Sequence, residues 1–415
     1  MEERSAFTAD RTPCSRGDTR LKEWVVAAIL LLLPVGCAPD GNGTSGIRDL
    51  PVITAERDLN IDGHSADLVP VGWMGVAPDG TIAVLQPQDG TVRFFDQQGG
   101  DLGRVGSQGD GPGEFQSMVR AGWIADTLWV SDTQLRRVTL VSTAPEILRT
   151  LPPLMDARPK PEDEERFPAY SMAFPFAMYP GGDLLLSVLL PTGGPAEADP
   201  DSRPLLRASG EGVIETEVFN IPWDSEGRVS VTFEGGSAGA PVPFYPSPQW
   251  AVAPDGSRIG ALTTDISGPE AGTFQVRVYD SMGEEVFSRR YPYSAVPIPD
   301  PVVDSVLEAW AERAPHPALK RAYQTEVKNR VPHIYPPVEE VVFGSDGRVW
   351  IGLYGGPEGE PWMILDGGGV PVGQVMLPPG VRLRVAGSDH IWGVERDEFD
   401  VESIVGFRIG TGNGG

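Results

Sequence analysis

The 415-residue chain has little cysteine, little histidine, no long apolar run and a deficit of positive charge. Its cysteines are Cys14 and Cys37, so no disulfide and no cysteine-based zinc site can form from residue 38 onward. The histidines are His64, His316, His333 and His390; none pairs with another at i,i+4, which excludes a helical H-E-x-x-H zinc site. His316, within "APHP", and His390, beside a turn, are expected on the solvated surface. Lys and Arg total 33 against 58 Asp and Glu, a net charge of −25. Residues 1–36 hold five residues of each sign, so the whole excess belongs to the remainder. Repulsion disfavours nucleic acid and anionic headgroups as partners. Solubility is the expected role of the excess, with cation recruitment as the alternative.

The longest apolar run, Trp24–Gly36, has thirteen residues, too few to span a bilayer comfortably. Arg16, Arg20 and Lys22 precede it and Cys37 follows, the layout of an export signal. The "PVGC" end resembles a bacterial lipobox, although Pro34 stands where leucine is usual and Leu33 lies one step back. The expected organisation is a signal peptide over 1–36, a lipid on Cys37 and a polar, Gly-rich tether over 37–49. That places the protein outside the cytoplasm, anchored at the bacterial cell envelope on the outer membrane or periplasmic face.

What the chain has in quantity is glycine (51) and proline (41), which favours many tight turns over long helices. It also has a repeat. "WMGVAPDGTIAVL" from Trp73 returns as "GWIADTLWVSD" from Gly122, "FAMYPGGDLLLSV" from Phe176, "WAVAPDGSRIGAL" from Trp250, "VVFGSDGRVWIGL" from Val341 and "VAGSDHIWGVE" from Val385. Each reads as strand, tight turn, strand, with turns centred on Asp79, Asp126, Gly181, Asp255, Asp346 and Asp389. Alternating stretches such as "TVRFFD" and "FQVRVYD" add further strands. Four strands in about 40–45 residues is the size of a propeller blade. The predicted fold is all-β: a six-bladed β-propeller over 50–410, with the strand-like "LPVIT" near residue 50 completing the last blade.

Longer intervals contain insertions. "MDARPKPEDEERFPAYS" reads as an exposed loop, and the stretch around "FEGGSAGAPVPFYPS" is Gly/Pro-rich. Residues 300–331 are helical in pattern. Asp300 is placed to cap and Pro301 to open the helix; Val303, Val306, Leu307 and Trp310 share one face, and after "APHP" a second stripe runs through Leu319, Ala322, Tyr323 and Val327. A helical hairpin laid on the propeller is expected. Its basic residues Arg313, Lys320, Arg321, Lys328 and Arg330 suggest a docking face or lid, or ordinary charge pairing.

"RVGSQGDGPGEF" followed by "WIADTLWVSD", together with the closing "WGVERDEFDVESIVGFRI", resembles the six-bladed, NHL-repeat-like propellers of bacterial exported lipoproteins. The resemblance covers roughly residues 50–410 and implies fold far more than function. Related propeller enzymes, gluconolactonases and amidating lyases among them, hold a metal on the axis with carboxylates, Asn or His. The asparagines here, Asn42, Asn60, Asn220, Asn329 and Asn413, do not open inner strands, a departure from that pattern.

Few residues carry chemistry. "GSQGDGPGEF" reads as a turn between blades, since no Lys-Ser/Thr and no helix follow and the spacing of a calcium loop is missing. Gly235–Gly239 matches G-x-S-x-G around Ser237, but "APVPFYP" cannot supply the helix of a nucleophile elbow. Loops between second and third strands hold Asp89, Asp132, Asp265, Glu270, Glu358, Asp397, Glu398 and Asp400, an acidic set able to face a cation or to cap turns. Trp73, Trp123 and Trp250 open inner strands, expected to pack between blades. The candidate ligand face is Asp110, Glu114, Asp132, Asp397 and Asp400, with no catalytic residue assigned. The expected function is a monomeric binding module for an envelope protein, peptide or glycan, with no nucleic acid and with membrane contact through lipid only. The alternative is a hydrolase or lyase with a divalent cation, such as calcium, on the axis.

Overall fold

The computed structural model describes residues 50–68, 70–151, 157–167, 172–189, 202–222, 225–265, 272–355 and 359–411. Cys37, the expected signal peptide and the tether lie outside them, as do Glu270, Glu358, Asn42 and Asn413.

Six four-stranded antiparallel sheets form a β-propeller. Blade I comprises Trp73–Val76, Ile82–Gln86, Thr91–Phe95 and Asp101–Val105. Blade II comprises Met118–Ile124, Thr127–Asp132, Arg137–Ser142 and Ile147–Leu151. Blade III comprises Met172–Met178, Leu184–Leu189, Ser202–Ala208 and Val213–Pro222. Blade IV comprises Gln249–Val252, Arg258–Asp265, Thr273–Asp280 and Glu285–Pro292. Blade V comprises Val338–Phe343, Val349–Leu353, Glu360–Leu365 and Pro371–Leu377. Blade VI takes Val381–Ala386, His390–Arg396 and Glu402–Thr411 from the end of the chain, and its fourth strand, Ile53–Ile61, from near the start.

The repeated aspartates explain why the hairpins form where they do. Asp79, Asp255 and Asp346 each accept the backbone N–H two residues on, at 2.9, 2.9 and 3.1 Å, and so close the turn between first and second strands. The glycine after each has positive φ, as at Gly80 (87°), which a side chain would strain. Asp96, Asp280 and Asp366 repeat the device between third and fourth strands, each accepting two amides. Six of the 58 acidic residues are therefore turn chemistry.

Apolar side chains fill the spaces between adjacent blades. Phe94, Phe115, Trp123 and Val141 join blades I and II, and Phe274, Val278, Phe343 and Ile351 join blades IV and V. Ring closure follows the expected route. Ile53–Ile61 pairs antiparallel with the last strand, Ile53 opposite Thr411 and Ile61 opposite Ile404. Leu59 and Ile61 are buried there, and Arg57 forks onto Glu395 with two contacts of 2.7 Å.

The first insertion departs from the exposed-loop reading, and the Gly/Pro-rich second one holds regular structure. In the first, Ala157 is buried in the core of blades II and III, and Arg158–Pro159 pairs in parallel with Val213 and Ile214 at the blade III edge. In the second, Arg228–Phe233 and Gly236–Pro241 form a β-hairpin. This hairpin and the segment 295–336 make a second compact unit. There α1 (Asp300–Arg313) and α2 (Pro317–Ala322), the latter continuing as irregular helix to Arg330, bury Leu307, Leu319, Tyr323 and Val327 against Val229, Val231, Ala240 and Val242. Both predicted apolar stripes are present. Asp300 is the first helical residue rather than the cap, which is Pro299. Lys328 pairs with Asp304 at 2.7 Å inside the same unit.

Candidate functional site

The stretch Gly106–Ser117 leaves the outer strand of blade I and delivers the chain to the first strand of blade II. Phe115 is its buried anchor, donating its N–H to Ser107 O at 2.8 Å. Asp132, fully buried, accepts from Gln116 N and Ser117 N with one oxygen and from Gln134 N and Leu135 N with the other, at 2.7–3.1 Å. Arg137 donates to the carbonyls of Gly111 and Glu114 at 2.7 and 2.6 Å and to that of Asp110 at 3.3 Å. Glu114 turns back onto Gly111 N at 2.8 Å, and the Asp110 side chain is exposed. Within the expected ligand face, Asp132 and Glu114 are thus bound to backbone amides.

At blade VI, Asp397 accepts from Phe399 N and Val401 N at 2.8 and 2.9 Å and holds His64 Nε2 at 2.9 Å. Those contacts hold its carboxyl below the usual range. Asp400, with φ 63°, lies 3.7 Å from Arg396. Arg396 also reaches the buried Glu402, which accepts from Val71 N; sequence reasoning did not single Glu402 out. His390 pairs with Asp58 at 3.0 Å rather than standing free in solvent, and His316 accepts Ala318 N while stacking on Phe233. Ser237 is exposed mid-hairpin opposite Thr232, with no helix after it. Among the described residues no three His, Asp or Glu side chains converge as a metal would require.

The axis holds a different arrangement. First strands of neighbouring blades touch one another at five of the six junctions, as the innermost strands of a propeller do. Four of these strands carry a bulge, and the extra residues are Val119, Phe176, Glu339 and Arg384. A bulge takes a side chain out of the alternation that would bury it between blades. Val119 and Arg120 are consequently exposed side by side on blade II. The Arg120 guanidinium carbon sits 3.5 Å from the centre of the Phe176 ring, and Trp250 packs on Phe176 at 4.3 Å and 33°. Two groups that close to one ring centre cannot share a face. Phe176 is therefore sandwiched between the cation of blade II and the indole of blade IV.

Water reaches Arg120, yet the surrounding blades desolvate its guanidinium enough to pull it down to about 10; it stays protonated at neutral pH. Among the described residues no carboxylate neutralises it. Of this group only Trp250 stood out in the sequence. Phe176 opens the repeat unit "FAMYPGGDLLLSV" as Trp250 opens its own, but bulges are set by backbone pairing, and nothing local to Arg120 marks its contact with that ring.

Comparison with solved structures finds similar chains. A DUF4221-family member from Bacteroides vulgatus is 10% identical, with 86% of this chain and 96% of that one covered and a TM-score of 0.43. The calcium-binding protein regucalcin from Agrobacterium tumefaciens is 11% identical, with 86% and 94% covered and a TM-score of 0.38. Virginiamycin B lyase from Staphylococcus aureus is 10% identical, with 81% and 94% covered and a TM-score of 0.35. No family profile and no curated protein matches the chain. All three TM-scores lie below 0.5, and the propeller assignment rests on the sheet topology of this chain.

Proposed function

We propose that this protein is a non-catalytic binding module, an NHL-repeat-like propeller exported and lipid-anchored through Cys37 at the bacterial cell envelope, where as a monomer it holds a protein, peptide or glycan. The observation that carries the binding reading is the axial stack of Arg120, Phe176 and Trp250. A cation on an aromatic platform is recognition chemistry; it offers neither a nucleophile nor a general base. Three of the five residues of the expected ligand face, Glu114, Asp132 and Asp397, are engaged with backbone amides, which disfavours them as ligands of an axial metal.

Anchoring rests on the PVGC segment. Cys37→Ser is expected to move the protein from the membrane fraction to the soluble fraction; continued membrane retention defeats the lipobox reading. Binding is tested by cross-linking the anchored protein in intact cells and identifying what it captures. Recovery of one component, competed by added soluble domain, supports the module. Turnover of lactone or ester substrates that requires an added divalent cation favours the enzyme instead.

A further inference from the structure

The axial stack invites a closer chemical reading, which rests on the binding role above. Arg120 lies over the face of Phe176, so its in-plane N–H groups point sideways, away from the ring. That edge is a fork matched to the two oxygens of a carboxylate. Val119, its neighbour in the chain, is 44% exposed, and the Trp250 indole backs the sandwich from the far face of Phe176. On a chain of net charge −25, an arginine with no carboxylate among the described residues stands out. Ordinary ion pairing had many acids to draw on and did not use one here.

We propose that Arg120, Phe176 and Trp250 form a binding site for a carboxylate carried on an apolar body, either a small organic acid or the C-terminus of a peptide. The guanidinium edge takes the carboxylate, and Phe176 holds that edge in place by covering the guanidinium face. Val119, exposed beside Arg120, receives the apolar part. A phosphate fits less well, since its tetrahedral oxygens and second charge call for further donors.

The test uses titration calorimetry on the whole purified protein at neutral pH, with four probes: N-acetylphenylalanine, its amide, benzoate and inorganic phosphate. One of the two carboxylates should saturate at one site, with the amide and phosphate at least tenfold weaker than the tighter acid. Preference for N-acetylphenylalanine assigns a peptide terminus; preference for benzoate assigns a small free acid. Arg120→Met should weaken the tighter acid at least tenfold, and Arg120→Lys should restore part of that loss. Phe176→Leu removes the platform and keeps the charge; it should also weaken binding, and it serves should Arg120→Met fail to fold by circular dichroism. The assignment is overturned by no saturable binding of either acid, by equal affinity for the amide, by tighter binding of phosphate, or by unchanged affinity in both the Met and Leu variants. Cross-linking in cells reads the broader binding role separately, so the carboxylate site can fail while that role stands.

Discussion

Asp132 and Arg137 face each other across the second and third strands of blade II, and together they fasten the glycine-rich crossing from blade I. The carboxylate collects four backbone N–H groups, two of them from the end of the crossing, and the guanidinium collects three of its carbonyls. The run "GSQGDGPGEF" is thus held by a donor set and an acceptor set at once. A segment this rich in glycine needs both, because its backbone polar groups find few partners in a strand ladder.

Asp132→Ala should be the most damaging single change in this region. It leaves four amides without an acceptor at a fully buried position and should cost about 3–4 kcal/mol. Asp132→Asn keeps one acceptor oxygen and should cost roughly half as much, since one pair of amides retains its partner. Denaturant midpoints of the two variants check the order.

Arg137→Met should release the middle of the crossing without emptying a core. Limited proteolysis should then cut between Gly109 and Glu114, where the native protein resists. An unchanged cleavage pattern would show that Phe115 and Asp132 hold the crossing without Arg137.

Acid should weaken the fold through its turn aspartates. The N–H groups of Val370 and Gly368 hold Asp366 below the usual carboxylate range, and Val401 with His64 does so for Asp397. A depressed folded pKa means the stabilisation is present above the unfolded value, roughly 4, and is lost as pH falls through the folded value. Stability should therefore fall below about pH 4. The double variant Asp366→Ala with Asp397→Ala should show a shallower fall; an identical slope would place the acid sensitivity elsewhere.

Closure of the ring predicts a concentration-dependent failure. Leu59→Ala should cost about 2–4 kcal/mol by opening a cavity beneath the closing strand. A chain starting after residue 62 should leave Glu402–Thr411 as an open edge and associate, visible in light scattering.

The second unit should respond on its own. Leu307→Ala should speed amide exchange over 228–241 and 300–330 and leave the blade cores protected. Removing 300–331 alone would bare Val229, Val231, Ala240 and Val242, so a loss of partner binding in such a deletion would not by itself identify a docking surface.

The blade repeat was legible because its signals are local. An aspartate that caps the N–H two residues on, a glycine that accepts positive φ and an apolar alternation act within one hairpin, so they leave a pattern in consecutive residues. The closing strand was legible by counting, since the last blade lacked a fourth strand and the strand-like segment near residue 50 was spare. Other partnerships across long stretches of chain were not. Nothing in "RVSVTF" announces that it packs on a helix some seventy residues later, and the acidic loops looked like a ligand face until their amide partners were seen.

The amino-acid order by itself determined six sheet modules, their turns and the distribution of charge. Only the tertiary structure decided which side chains reach the axis, because four bulges, set by how neighbouring strands pair, shift residues out of the alternation that sequence reading assumes. Arg120 meets Phe176, and Phe176 meets Trp250, across three blades whose contact no local pattern encodes.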